Sequence, residues 1–143
     1  MRKLILPILI GSWSDEIFLR EGLIYLEENK VLFCVEKLSV HRTPAKAAIL
    51  IPKILSIPNI LAAIGVAATA TGLPGIMASY VAEMKLRVQI FGVRASKHHG
   101  LPSQEDREFN LSAMPQGQPF AYAGYNNKGF LHACIMAHKL VKF

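Results

Sequence analysis

A continuous apolar run at the amino terminus is the feature that most restricts the fold of this chain. From Leu4 to Ile10 every side chain is apolar, so a strand over Lys3–Ile10 has no polar face to turn toward water. Strands of this kind lie in parallel sheets that are covered on both faces. Met1-Arg2-Lys3 imitates the start of a secretory signal, but the run is short for one and no small-residue cleavage site follows. We therefore predict a buried first strand and a cytoplasmic location.

Helix-like and strand-like segments alternate along the rest of the chain. Apolar side chains at spacings of three and four residues predict a first helix that ends near Asn29; they are Phe18, Leu19, Leu23 and Leu26. The later predicted elements are a strand over Val31–Leu38, a helix that opens at Pro44, a strand over Asn59–Val66, a loop over Ala67–Leu73, a helix over Pro74–Met84, a strand over Leu86–Val93, a polar loop over Arg94–Arg107, a strand near Pro119–Ala123 and a helix over Asn127–Lys142.

This alternation, with short connections, is typical of α/β proteins. Right-handed crossovers then give a three-layer αβα sandwich with a doubly wound parallel sheet, flavodoxin-like or Rossmann-like. At 143 residues, of which 52% are apolar, the chain is predicted to form one domain over residues 1–143.

An uncharged stretch from Ile54 to Ala82 is long enough to span a bilayer. It is interrupted by Pro58, Gly72 and Pro74, which break the apolar pattern. We therefore interpret it as a strand, a loop and a helix, and predict no membrane partner.

The charge balance favours an anionic small molecule as partner. Lys and Arg number 16 against 10 Asp and Glu, a formal net charge of +6, but no basic run or aromatic stacking pattern indicates nucleic acid. Cys34 and Cys134 lie far apart and no Cys/His cluster has metal spacing. We expect no disulfide and no metal.

Two turns that follow predicted strands carry the chemistry. The first is Gly11-Ser12-Trp13-Ser14-Asp15, in which Ser12 can cap the next helix and Asp15 lies three residues on. Alone, this turn is a weak indication of phosphate binding. The second, Ser39-Val40-His41-Arg42-Thr43-Pro44, places a proton-transfer group beside a planar anion clamp. Because both turns follow parallel strands, they are expected at the same edge of the sheet.

Together these turns resemble the family of 5-(carboxyamino)imidazole ribonucleotide mutases and aminoimidazole ribonucleotide carboxylases of purine biosynthesis. Members are similar in a Gly-Ser-x-Ser-Asp turn and a Ser-Ala-His-Arg-Thr-Pro loop, where Val40 replaces the alanine. Leu73-Pro74-Gly75, Met114-Pro115-x-Gly117 and a final helix rich in small residues extend the resemblance over nearly the whole chain.

The resemblance implies an enzyme that needs no cofactor, takes a ribonucleotide and carbon dioxide, and assembles into a homo-oligomer, most often an octamer. His41 is implied as the catalytic acid and base. The substrate-binding residues are implied to be Gly11, Ser12, Asp15, Ser39, Arg42, Ala68, Gly72 and Leu73.

The chain departs from the family pattern in the loop after the third strand. Members carry His-Leu-Pro-Gly there, whereas this chain has Gly72 in the place of the histidine. The form that uses carbon dioxide directly tends to carry Ser-Ala-His-Lys, so Arg42 favours the mutase. Three alternatives remain at this stage: a direct carboxylase, a nucleotide-binding module without catalysis, and a noncatalytic assembly homologue. His98 and His99 lie in a polar segment and are more typical of solvated side chains than of catalytic ones.

Overall fold

The computed structural model of the chain describes residues 4–67, 72–95 and 120–141. Within these ranges five strands form one parallel sheet with the order β2-β1-β3-β4-β5. The strands are β1 (Ile5–Ile10), β2 (Leu32–Lys37), β3 (Ala62–Ala67), β4 (Gln89–Arg94) and β5 (Ala121–Tyr125). The predicted parallel, doubly wound sheet is confirmed.

Helices cover both faces of this sheet. The first face carries α1 (Arg20–Glu28) and α4 (Asn126–Val141), and the second carries α2 (Pro44–Leu55) and α3 (Gly72–Glu83). Alternate residues of β1 divide between the two cores, because successive side chains of a strand point to opposite faces. Ile8 and Ile10 pack with α1 and α4, whereas Leu9 packs with α2 and α3. The three layers are therefore α, β and α, as predicted.

Proline occupies a position in the middle of β1, which is an interior strand. Gly11 N–H donates to the carbonyl oxygen of Val66 at 3.1 Å, and alternate residues of a strand direct their backbone groups to the same side. At Pro7, the backbone N–H that proline lacks would have pointed toward β3. The ladder between β1 and β3 begins only at Ile8, opposite Ile64. The proline is thus accommodated where that ladder has not yet started.

Two glycines face each other in the middle of the sheet. Gly65 of β3 pairs with Gly92 of β4. A Cβ atom on Gly65 would come within 2.8 Å of the sulfur of Met77, and one on Gly92 would overlap the ring of Phe120 and lie 3.2 Å from Cβ of Pro74. The absence of side chains at this pair lets α3 lie close against the sheet near its amino end.

The first turn does not lead directly into an α-helix. Trp13–Phe18 forms a 3₁₀ helix, and α1 starts only at Arg20, so the prediction of one helix from the turn to Asn29 was wrong in its first part. In the 3₁₀ geometry side chains three apart lie above each other. This places Asp15 and Phe18 together on the inner side. The predicted helix start at Pro44 is confirmed.

Several other boundaries differ from the predictions because residues before the strands adopt turn conformations. The third strand begins at Ala62 rather than Asn59, whose φ of 70° is left-handed, and the fourth begins at Gln89, beyond the left-handed turn at Lys85. The fifth strand lies about two residues later than predicted, and the last helix starts one residue earlier, at Asn126.

The ends of β3 and β4 and the start of α3 also differ from the predictions. Ala67, predicted as the first residue of a loop, is the last residue of β3. Gly72 and Leu73 lie inside α3, so the described part of this helix begins two residues before the predicted start at Pro74. Arg94, predicted as the first residue of a polar loop, is the last residue of β4.

In the part of the chain that the structure describes, no helix is both long enough and apolar enough to cross a membrane. The uncharged stretch from Ile54 to Ala82 is divided between the end of α2, strand β3 and helix α3. Cys34 and Cys134 are free thiols, and burial raises the pKa of the Cys134 thiol to about 12.

Candidate active site

The strand order changes direction between β1 and β3, and this is where ligands bind in doubly wound sheets. From β1 the chain moves outward to β2, and then crosses back to β3 on the other side. The turn after β1 is tied to β3 by the hydrogen bond from Gly11 N–H to Val66, and the turn after β2 is tied to β1 by Leu38 N–H, which donates to Ile10 at 2.9 Å. The two turns that carry the motifs therefore meet at one edge of the sheet.

The turn after β1 is held by its own serines. Ser12 is the N-cap of the 3₁₀ helix, and its hydroxyl oxygen accepts a hydrogen bond from Ser14 N–H at 3.3 Å. The predicted cap is thus confirmed, although it caps a 3₁₀ helix. Gly11 N–H already donates to Val66, so this glycine offers no backbone donor to a ligand.

Asp15 is a buried acid in this turn, with 6% of its surface exposed. Burial raises the pKa of its carboxyl group, and a hydrogen bond from the backbone of Ser12 partly offsets this effect. A carboxylate that is removed from water and held by the turn is placed to accept hydrogen bonds from ligand hydroxyl groups.

The turn after β2 presents two of the predicted site residues at the surface. The hydroxyl of Ser39 accepts a hydrogen bond from Arg42 N–H at 3.1 Å, and the carbonyl of Ser39 accepts from both the N–H and the hydroxyl of Thr43, each at 3.0 Å. Ser39 is buried and therefore holds the turn. His41 and Arg42 are exposed at its tip, directly before the start of α2.

The other predicted residues lie in α3 or outside the described residues. Gly72 is half-buried at the start of the described part of α3. Leu73 is 1% exposed and packs in the core between α3 and the sheet, so its side chain is part of that core. Ala68, His98, His99 and the Met114-Pro115-x-Gly117 motif lie outside the described residues.

Sequence reasoning missed one charged residue at this edge. Arg94 ends β4 and is 5% exposed, opposite Ala67 on β3 and Tyr125 on β5. The signal that could have identified it is its position directly after the apolar run Ile90–Val93, because the strand continues for one more residue inside the protein.

A cavity of about 490 Å³ opens at the same edge of the sheet, on the face that carries α1 and α4, between Phe18 and the start of α4. Tyr125, Lys128 and His132 line it, and none of the residues predicted for the site does. We therefore place the candidate active site at the two turns, where the chemical groups converge, and not at this cavity.

These features define a flavodoxin-like α/β protein with polar turns at the carboxyl ends of its central strands. No family model and no curated protein matches the sequence. Among solved structures, the chain is similar to the crystal structure of Treponema denticola PurE, with a TM-score of 0.76 at 15% sequence identity. The similarity covers 98% of this chain and 81% of that chain. The two proteins share their fold.

Proposed function

We propose that this chain is a carboxyl-transfer enzyme of purine biosynthesis that converts 5-(carboxyamino)imidazole ribonucleotide into 4-carboxy-5-aminoimidazole ribonucleotide. The observation that carries the proposal is the placement of His41 and Arg42 on one exposed turn, beside the turn that holds Ser12 and Asp15. The PurE-like fold supports it, as does the sequence resemblance of both turns.

The ribose phosphate would bind across the two turns. Arg42 follows the catalytic candidate, and its planar guanidinium group matches a phosphate with two parallel hydrogen bonds. The hydroxyl of Ser12 lies at the start of the neighbouring turn. Asp15 is an acceptor and is therefore suited to ribose hydroxyls and not to the phosphate.

His41 would move the proton that the reaction requires. The bond between the exocyclic nitrogen and the carboxyl carbon breaks, carbon dioxide leaves, and the nitrogen takes a proton. The ring carbon then attacks the same carbon dioxide and loses its own proton. One imidazole can donate the first proton and accept the second. The net reaction is an isomerisation without a cofactor.

The reaction depends on keeping carbon dioxide next to the ring. In a closed site the carbon dioxide and the ring carbon stay next to each other, so they do not have to meet again by diffusion. Small residues that flank the connection between β3 and α3, such as Ala67 and Gly72, would leave room for the imidazole and for carbon dioxide at the sheet edge.

We further propose that the protein acts in the cytoplasm as a closed homo-oligomer. The family resemblance implies that this oligomer is an octamer. Large apolar side chains remain exposed within the uncharged stretch, with exposed fractions of 43% for Ile57, 37% for Leu61 and 39% for Ile76. Contact with other copies would remove this surface from water. Light scattering at low micromolar concentration tests it, and a fully active stable monomer would contradict the shared-site assembly.

The experiment that tests the function follows the absorbance of the imidazole ribonucleotides with purified protein. Conversion of the carbamate substrate without added bicarbonate supports the mutase. Conversion of aminoimidazole ribonucleotide only when bicarbonate is added would assign the direct carboxylase instead. Binding of the ribonucleotide without conversion of either substrate would identify a noncatalytic nucleotide-binding protein.

A further inference from the structure

Arg94 is a buried cation at the edge of the sheet where the candidate site lies. It occupies the last rung of β4, opposite Ala67, and Ala95 N–H donates to the carbonyl oxygen of Ala67 at 2.9 Å. Adjacent strands lie about 4.8 Å apart, so Arg94 is one strand away from the start of the turn after β3. The position at which the chain lacks the histidine of the resembling family is Gly72, at the start of the described part of α3.

The alternation of side chains fixes the face on which Arg94 leaves the sheet. Phe91 and Val93 belong to the core with α1 and α4. Gly92 lies on the opposite side, where an added Cβ would meet Pro74 of α3. Arg94, two residues after Gly92, therefore points to the face covered by α2 and α3.

This is the same face on which the His41–Arg42 turn enters α2. The turn runs directly into Pro44, and α2 packs with α3 in one core cluster. Arg94 and Arg42 therefore approach the same end of the sheet on the same face, one from the interior and one from the surface. Strands β1 and β3 lie between β2 and β4, so the two positions are three strand spacings apart, roughly 14 Å. Arg94 is buried, with 5% of its surface exposed, whereas Arg42 is exposed to solvent.

A buried guanidinium group attracts anions more strongly than an exposed one, because less water screens its charge. Its geometry suits the two oxygens of a carboxylate. We propose that Arg94 binds the carboxylate of the ribonucleotide, and so makes the site select carboxylated ribonucleotides over the uncarboxylated one. This inference rests on the proposed function and adds a residue to it.

The assignment also bears on which reaction the site performs. A mutase binds a carboxylated ribonucleotide as substrate and as product, whereas a direct carboxylase begins with an uncarboxylated one. A cation reserved for the carboxylate favours the former through differential binding. Arg42 would remain the phosphate partner, which both kinds of ribonucleotide require.

The test compares two ligands in an inactive background, so that no conversion disturbs the binding equilibrium. In His41→Asn protein, isothermal titration measures the affinities for 4-carboxy-5-aminoimidazole ribonucleotide and for aminoimidazole ribonucleotide. Adding Arg94→Gln should weaken binding of the carboxylated ligand on the order of 10- to 100-fold and change that of the other less than about twofold. Arg87→Gln is the matched control, because Arg87 is exposed and lies before β4, at the other end of the strand.

Each outcome decides the inference. A lost preference for the carboxylated ligand supports it, and an unchanged preference overturns it while leaving the proposed function intact. If the protein binds neither ribonucleotide, the proposed function is wrong and the inference fails with it. If Arg94→Gln does not fold, Arg94→Met replaces it, because methionine keeps much of the side chain's length and removes the charge, and a preference equal to that of the parent again overturns the assignment.

Discussion

The phenol oxygen of Tyr25 and Nδ1 of His138 share a hydrogen bond of 2.8 Å between α1 and α4. The two rings meet edge to face, with centroids 5.6 Å apart and an interplanar angle of 69°. The pair is partly buried, and it joins two helices on the same face of the sheet. It lies away from the two turns of the candidate site, so its contribution concerns stability.

We predict that Tyr25→Phe lowers the free energy of unfolding by about 1 kcal/mol, because it removes the hydrogen bond and keeps the ring. Urea unfolding measures the change. A double-mutant cycle with His138→Ala supplies the control, since two residues in contact should show a coupling energy. A coupling near zero would contradict a stabilising bond between them.

Asp15 gives a second prediction, on pH. Burial raises the pKa of its carboxyl group, so the folded protein holds this proton over a range where the unfolded chain has released it. Stability therefore falls as pH rises through that range, and the cost is fully present above the raised pKa. Asp15→Asn keeps the shape and removes the charge, so the variant should be more stable than the parent at neutral pH.

The advantage of Asp15→Asn should shrink as the pH is lowered through the range in which Asp15 takes up its proton. Thermal unfolding across pH measures it. Glu16→Gln, at the exposed neighbouring position, is the matched control and should show no such trend. An Asn variant less stable than the parent at neutral pH would show that the carboxylate is stabilised in the turn.

Gly92→Ala tests the close approach of α3 to the sheet. The new methyl group would overlap the Phe120 ring and lie 3.2 Å from Cβ of Pro74, and overpacking of this kind costs about 1–3 kcal/mol. Gly11→Ala is a suitable comparison, because its nearest neighbour would be the Val66 carbonyl oxygen at 3.8 Å. Equal unfolding free energies for the two variants would mean that Phe120 can move aside.

Residues whose pattern reflects burial were predictable from the sequence. The run Leu4–Ile10 has no polar face, which required a strand covered on both sides, and Pro44 has the fixed φ that suits a helix start. The 3₁₀ helix at Trp13–Phe18 was not predictable, because its apolar spacing satisfies an α-helix equally well. Arg94 was missed because a charged residue after an apolar run normally marks a turn, and only the pairing with Ala67 places it inside.

The candidate site follows the same division. Both motif turns could be placed at strand ends from the sequence, since their residues directly follow predicted strands. Which residues of a turn hold its backbone and which face solvent could be seen only in the structure. The hydroxyls of Ser12 and Ser39 each accept a backbone N–H, from Ser14 and from Arg42. Both serines therefore hold their turns, but Ser39 is buried whereas Ser12 is half-buried.

Arg42→Lys tests the proposed phosphate contact. Lysine keeps the charge but cannot offer the planar pair of donors, so substrate affinity should fall roughly tenfold. The change is measured by titration with substrate and with inorganic phosphate. Lys46→Gln serves as a control for the loss of a nearby charge, because Lys46 is exposed in the first turn of α2. Unchanged affinity for both ligands would remove Arg42 from the phosphate site.

His41→Asn tests the proposed proton transfer. His41 is exposed on a turn that Ser39 holds through Arg42 and Thr43, so asparagine should leave the fold and the unfolding midpoint unchanged. Turnover should fall at least ~100-fold, the usual contribution of a positioned acid and base. The matched control is His138→Gln, which alters a histidine on α4 far along the chain and should reduce stability more than turnover. Turnover equal to the parent in folded His41→Asn protein would place the proton-transfer group elsewhere.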